Sequence, residues 1–184
     1  DLTSDWINWG MYRHMLQNKN TAALQAAPFT HVMRVLTRNW EATNKPSEIA
    51  IAIGPDPISM MCAASPIPGG VSEVDIIGGI LGEPIELVKC ETIDLLVPAT
   101  AEIVIEGEMK PHERLEDGPF GEFTGYQVAG RLPRPVIRVT AVTHRNNPIF
   151  TMSNEGVPLA DSHSMISIAK GAESLEALRE KGLP

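Results

Sequence analysis

Apolar positions recur along this chain with two periods. Between Thr30 and Thr43, Val32, Val35, Leu36 and Trp40 return at steps of three and four, which predicts a helix closed by Asn44-Lys45-Pro46. Val74, Ile77 and Leu81 share one face of a second predicted helix over Glu73 to Leu81, with Gly82 and Pro84 after it. Alternation with period two marks strands instead. Ile49, Ile51 and Ile53 alternate with alanines over Glu48 to Gly54, and Ile85 with Leu87 over Ile85 to Glu91. Ile103 and Ile105 alternate over Ile103 to Glu108. Val136 to Thr143 sets Val136, Arg138, Thr140 and Val142 against Ile137, Val139 and Ala141, and Ile149 to Met152 reads as a further short strand.

Other stretches are less decided. Residues 6 to 18 lack a clean period and read as strand or loop near Asn8, then a turn. Thr21 to Ala27 reads as a linker or helical turn ending at Pro28. Ile58 to Ala64 fits either helix or strand, and Glu173 to Pro184 is a charged helical pattern stopped by Gly182 and Pro184. Short strands separated by turn signals favour a barrel or curled sheet over a helical bundle. No internal repeat appears.

Composition narrows the class. The chain has 184 residues, 43% hydrophobic and 21% charged, enough for one domain with a real core. A formal net charge of -8 with no basic run argues against a nucleic-acid partner. No apolar run approaches the ~20 residues needed to span a bilayer. Cys62 and Cys90 read as free thiols, buried or half-buried, in a reducing cytoplasm. The opening Asp1-Leu2-Thr3-Ser4-Asp5 has no initiator Met, which suggests a portion of a longer protein.

Candidate chemistry gathers in three places. Asp117-Gly118-Pro119-Phe120-Gly121-Glu122 sets two acids around a turn stiffened by proline. Two carboxylates held in one partly dry site resist ionising together, so one can keep a proton to donate. Arg13 suits them as a partner, because a guanidinium forks onto a carboxylate; the same fork also suits a substrate carboxylate. A surface turn with two solvated acids is the plain alternative. Asn8, His31 and Glu73 offer an amide, an imidazole and a carboxylate, which suit Mn²⁺ or Mg²⁺, although their spacing matches no compact metal motif. His31 alone fits a solvent-facing histidine at a helix start. Ser65-Pro66-Ile67-Pro68-Gly69-Gly70-Val71-Ser72 is a stiff loop able to line a flat ligand, or a simple surface connection.

Taken together, these segments resemble the UbiD family of reversible decarboxylases that use prenylated flavin mononucleotide. The pieces are Asn8-Trp9-Gly10-Met11-Tyr12-Arg13, His31, Pro66-Ile67-Pro68 with Ser72-Glu73, Val88-Lys89-Cys90, Pro98-Ala99, Ala101 to Gly107 and Asp117 through Tyr126, covering roughly residues 6 to 170. The resemblance implies an α+β fold: a split β-barrel (flavin-reductase-like) with flanking helices, as a single prenylated-flavin-binding domain over 1–184. It implies Arg13, Asp117 and Glu122 as the catalytic group, with Arg13 binding the departing carboxylate and keeping the neighbouring acids in their working states, and Glu122 supplying a proton once carbon dioxide has left. Asn8, Trp9, Met11, Arg13, Thr30, His31, Ala64, Ser65, Pro66 and Glu73 would bind the cofactor. Asn8, His31 and Glu73 would hold Mn²⁺ (or Mg²⁺) on its phosphate, and K⁺ would sit near Ala63 to Ser65 and Glu73.

The implied reaction is reversible decarboxylation of an aromatic or α,β-unsaturated carboxylic acid by a cytoplasmic homo-oligomer. A flavin prenyltransferase would supply the cofactor. Asp117 departs from the family's usual Glu, and its shorter arm is expected to reach about 1 Å less far toward Arg13. That departure keeps open a non-catalytic flavin-binding barrel or an assembly module.

Overall fold

A computed structural model describes Ser4 and residues 6–122, 125–153, 156–157 and 159–183. Phe123 and Thr124 of the Asp117-to-Tyr126 segment, most of the opening Asp1-to-Asp5 stretch and Pro184 lie outside the described residues. The order of elements is β1 (Arg13–Asn18), β2 (Thr21–Gln25), α1 (His31–Val35), β3 (Ser47–Ile53), α2 (Pro57–Ala64), α3 (Glu73–Leu81), β4 (Leu87–Lys89), β5 (Leu96–Pro98), β6 (Ile103–Met109), β7 (Arg114–Asp117), β8 (Leu132–His144) and α4 (Asp161–Glu180). One antiparallel sheet runs β1-β2-β8-β6-β3, with β7 also on β8, and β4 pairs with β5 separately. Among the described residues the sheet stays open, since its end strands β1 and β3 do not pair, so the expected barrel is not closed. The fold is mixed α/β built on antiparallel sheets.

The alternation in β3 is explained by two cores, one on each face of the sheet. Ile49 and Ile51 pack against Ala22, Leu24, Leu36, Met109 and Ile137. The intervening Ala50 and Ala52 pack against Cys90, Ile93, Val97 and Val104. Small residues there let the Cys90-to-Ala101 segment lie close to the sheet. Glu106 fastens that segment: its buried carboxylate accepts from Glu91 N at 2.9 Å, Thr92 N at 2.7 Å and Thr92 Oγ1 at 2.7 Å. Burial pushes the Glu106 acid up, but these donors outweigh it and leave the group below its ordinary range. At Gly107, where the β6–β8 register shifts, a Cβ would stand 2.6 Å from the Arg138 carbonyl oxygen. Only glycine permits that backbone approach.

Several expectations are corrected. Thr21 to Ala27 is not a linker: Thr21–Gln25 forms β2, an inner strand of the sheet. Thr21, Ala22, Ala23 and Leu24 are buried on both faces, so no alternation marks the strand, and alanine carries little β preference. Residues 6–12 are irregular, and β1 begins at Arg13. Ile149 to Met152 is no strand; Ile149, Phe150 and Met152 are exposed. Ile85 to Glu91 shrinks to Leu87–Lys89. The helical run after Thr30 is α only to Val35, then a π turn (Leu36–Trp40) and a 3-10 turn (Glu41–Thr43). Ile58 to Ala64 resolves as α2, with Pro57 opening it and Asp56 accepting from Ser59 N at 2.9 Å as its cap. Cys62 and Cys90 are free and buried.

Candidate active site

Period two in β1 builds the first half of the site. Arg13, Met15 and Gln17 lie on one face of the strand and together hold residues 116–118. Gln17 Nε2 donates to the Glu116 carbonyl at 2.8 Å, Gly118 N donates to Met15 Sδ at 3.3 Å, and Arg13 Nη2 meets Asp117 Oδ2 at 2.6 Å. Asp117 ends β7, where it faces Leu132 of β8. Gly118 has φ +93°, which only glycine adopts easily, and turns the chain so that Phe120 lies under the guanidinium, 4.3 Å from Arg13 Cζ. Arg13 Nη1 reaches Glu122 Oε1 at 3.2 Å. Asp117, Arg13 and Glu122, candidates from sequence, therefore meet. The one-methylene deficit expected of Asp117 does not open the pair.

The two acids differ in surroundings. Asp117 is only 2% exposed, whereas the Glu122 side chain is 31% exposed. Asp117 Oδ1 and Arg13 Nε are buried with no hydrogen-bond partner. Both residues, with Glu122, line a cavity of about 40 Å³ completed by Gln25, Gly118, Phe120, Ala129, Gly130, Leu132 and Arg134. Gln25 and Arg134 went unnoticed in the sequence. Their one signal was position: Gln25 pairs with Arg13 across β1 and β2, and that required knowing β2 was a strand. A larger open groove, about 420 Å³, runs between Val74 and Ile85 and shares no residue with this site.

Asn8, Thr30 and Glu73 meet around Tyr12. Burial pushes the Tyr12 hydroxyl up, while Asn8, the Val32 backbone and Thr30 act on it as hydrogen-bonding neighbours and Glu73 as a nearby charge. The Tyr12 ring folds back over Gly10, where a Cβ would come within 2.4 Å of it. Glu73 opens α3, is 3% exposed, and accepts from Trp9 N at 3.1 Å. His31 opens α1; its ring lies edge-on to Trp6 at 5.5 Å, and Trp6 Nε1 donates to the Val71 carbonyl at 3.0 Å. A Cβ on Gly69 would stand 3.4 Å from His31 Nε2, so the Pro66-to-Val71 loop closes over the imidazole. The C-terminal turn of α2, ending at Ala64, lies near Glu73, whose charge acts on Cys62. Thr30 spends its hydroxyl on the Ala27 carbonyl at 2.7 Å, and Met11 is exposed.

An amide, an imidazole and a buried carboxylate are donor types that fit a hard divalent cation; Asn8 and Glu73 share Tyr12 as a neighbour, and the His31 ring lies against Trp6 and Gly69. No group of three or more His, Cys, Asp and Glu side chains placed to hold a metal ion occurs among the described residues, and the Asn8, His31 and Glu73 set contains only two residues of those types. No helix among them is long and apolar enough to cross a membrane.

Comparisons with known proteins identify the family. Residues 1–158 match the family described as UbiD: 3-octaprenyl-4-hydroxybenzoate carboxy-lyase Rift-related domain. The chain belongs to the UbiD family. It is 39% identical over 183 residues to ferulic acid decarboxylase 1 of Saccharomyces cerevisiae, covering 97% of this chain and 36% of that protein. It is 35% identical over 179 residues to pyrrole-2-carboxylic acid decarboxylase of Pseudomonas aeruginosa, again covering 97% and 36%. The chain thus spans little more than a third of these relatives. Among solved structures, an evolved dimeric form of the UbiD-class enzyme HmfF from Pelotomaculum thermopropionicum, in complex with prFMN, superposes with a TM-score of 0.85 at 37% identity. That superposition covers 94% of this chain and 39% of that one.

Proposed function

We propose that this chain forms the cofactor and proton-transfer site of a reversible decarboxylase acting on an aromatic or α,β-unsaturated carboxylic acid with prenylated FMN. The observation that carries the reading is one guanidinium held between a buried and a half-exposed carboxylate at a single cavity. Bound prenylated FMN would supply the electron sink that lets carbon dioxide depart. Asn8, His31 and Glu73 would hold Mn²⁺ or Mg²⁺ on its phosphate. The α2 end at Ala63 to Ser65, the electronegative end of that helix, would favour K⁺ beside Glu73. A flavin prenyltransferase as cofactor source, a split-barrel arrangement and a homo-oligomer belong to the same reading, supported by the family match.

The exposure difference divides the acids. Glu122, reached by solvent, gives its proton to the carbon that carbon dioxide has left. The new C–H bond forms as the Oε–H bond breaks, and the resulting carboxylate is received by Arg13 Nη1. Water can then reprotonate it. Asp117, sealed from solvent, has no such supply and serves to fix Arg13. The motive for a non-catalytic reading, the short arm of Asp117, is weakened by its 2.6 Å contact with Arg13.

The test is Glu122→Gln in the full-length, cofactor-loaded protein, with carbon dioxide release and deuterium incorporation from D₂O as readouts. General-acid loss predicts a fall of about 10²–10⁴-fold in both. Full activity in the variant removes Glu122 from the donor role.

A further inference from the structure

The sheet face that presents Arg13 carries two more polar side chains to which the proposed reaction gives no task. Arg13 pairs with Gln25 across β1 and β2. β2 pairs with β8 at Ala23 and Val136, and the same antiparallel register carried two residues further sets Gln25 opposite Arg134. Residues opposed in this way share a face. Arg13, Gln25 and Arg134 thus form one row across three strands, and all three line the same cavity.

The two arginines of the row are in different electrical situations. Both terminal nitrogens of Arg13 are engaged, one by Asp117 and one by Glu122. Arg114, Arg138 and Arg145 also face carboxylates. Arg134 makes no side-chain hydrogen bond or ion pair among the described residues, and its Nε is buried. Gln25 Oε1, Arg13 Nε and Asp117 Oδ1 are likewise buried and unpartnered around the cavity, with Asp117 98% buried as a residue. Buried polar groups left this way are costly unless something else satisfies them. About 40 Å³ is room for two or three waters or one carboxylate group, not for an aromatic ring.

We infer that Arg134, assisted by Gln25, anchors a carboxylate group of the substrate. This deepens the decarboxylase reading and rests on it. Both terminal nitrogens of Arg13 are already taken by Asp117 and Glu122, whereas the Arg134 guanidinium has no partner among the described residues and its fork matches a carboxylate. The Gln25 amide, whose oxygen and nitrogen exchange by a half-turn, then donates to the second oxygen. The carboxylate has two possible sources: the one that leaves, or a second one on a diacid.

The test is calorimetric binding to the full-length, cofactor-loaded protein of benzoate, of terephthalate as the diacid, and of neutral benzamide. The proteins compared are wild type, Arg134→Gln and Arg134→Lys. Loss of a charge-assisted pair predicts carboxylate affinity about 10- to 150-fold weaker in Arg134→Gln, partly restored in Arg134→Lys, with benzamide affinity unmoved. Equal losses for benzoate and terephthalate assign the departing carboxylate; a loss for terephthalate alone assigns the second. Carboxylate affinities within twofold of wild type in both variants overturn the inference, as does an equal loss for benzamide. The binding readout is independent of turnover, so an active Glu122→Gln enzyme would sink the donor assignment without touching this one.

Discussion

Glu106 and Asp117 are almost equally buried, at 1% and 2% exposure, yet the chain treats them in opposite ways. Glu106 receives two backbone N–H groups and a hydroxyl, donors fixed by the course of the chain. Asp117 receives one guanidinium on one oxygen and nothing on the other. Its partner is shared with a half-exposed second acid. A saturated buried anion holds a loop to a sheet. An under-satisfied one beside a cavity calls for an explanation, and the proposed proton-transfer site supplies one. The contrast separates stability from chemistry within one sheet.

The largest effect is expected on the chemical side. Arg13→Lys keeps the positive charge but loses the fork that spans two carboxylates and the flat face on Phe120. Misplacing groups by about 1 Å is worth roughly 100-fold in rate, so in the full-length, cofactor-loaded protein the proposed decarboxylation should fall by about that factor with little loss of folding stability. Steady-state rates and urea midpoints on the same preparation check it. A rate within threefold of wild type would mean that any cation serves, and the contrast with Glu106 would lose its chemical half.

Glu106→Gln is the converse. A neutral amide retains one acceptor where three donors converge and turns an N–H₂ toward the rest. The expected cost is about 2 kcal/mol, read as a lower urea midpoint at unchanged m-value. The rate per folded molecule should hold. Folded Glu106 is more acidic than its unfolded counterpart, so its stabilisation is present above the ordinary glutamate range near 4.5 and fades as pH falls below it. In Glu106→Gln that acid-side loss should shrink.

How much of this was legible follows from the same physics. Helix α3 was readable to the residue because its apolar stripe, acidic start and Gly82, at φ +75°, agree. Strand β6 was readable because one face alternates. Strand β2 was not, since burial on both faces erases the alternation, and β7 was not, since Arg114 and Asp117 are polar residues with tertiary partners. The candidate residues Arg13, Asp117 and Glu122 could be chosen by chemistry and by family resemblance. Their separation of 104 and 109 residues from Arg13 is closed only by the pairing of strands. Gln25 and Arg134 depended on a strand the pattern concealed, so they emerged only from the register.

A histidine beside Arg13 sharpens the comparison at higher pH. His14 sits on β1 opposite Leu24, its Nε2 buried without a partner. Burial pushes its pKa down from 6.5 to about 4. The folded group therefore stays neutral where the unfolded one would take a proton. Its contribution to stability is complete above pH 6.5 and is lost as pH falls from there toward 4. Thermal melts between pH 7 and 5 should show a decline that His14→Gln flattens, a window distinct from the one Glu106 controls. An unchanged decline in the variant would place the titrating group elsewhere.

The smallest effect tests whether Asp117 is a compromised acid or a fitted one. Its carboxylate reaches Arg13 at 2.6 Å from a position that is 2% exposed, closed on one side by Gly118 and by the Met15 sulfur that accepts from Gly118 N. Asp117→Glu supplies the longer arm that the family resemblance implies. If the deficit were real, the extra methylene would raise activity. The geometry predicts otherwise: the added group has to enter a closed corner, pushing the carboxylate into Arg13 or into the cavity. Overpacking of this kind costs roughly 1 kcal/mol or more, so a slightly lower melting temperature with no gain in rate is expected. A variant both faster and at least as stable would show that the corner has room for the methylene. The shorter arm would then be a defect rather than a fit.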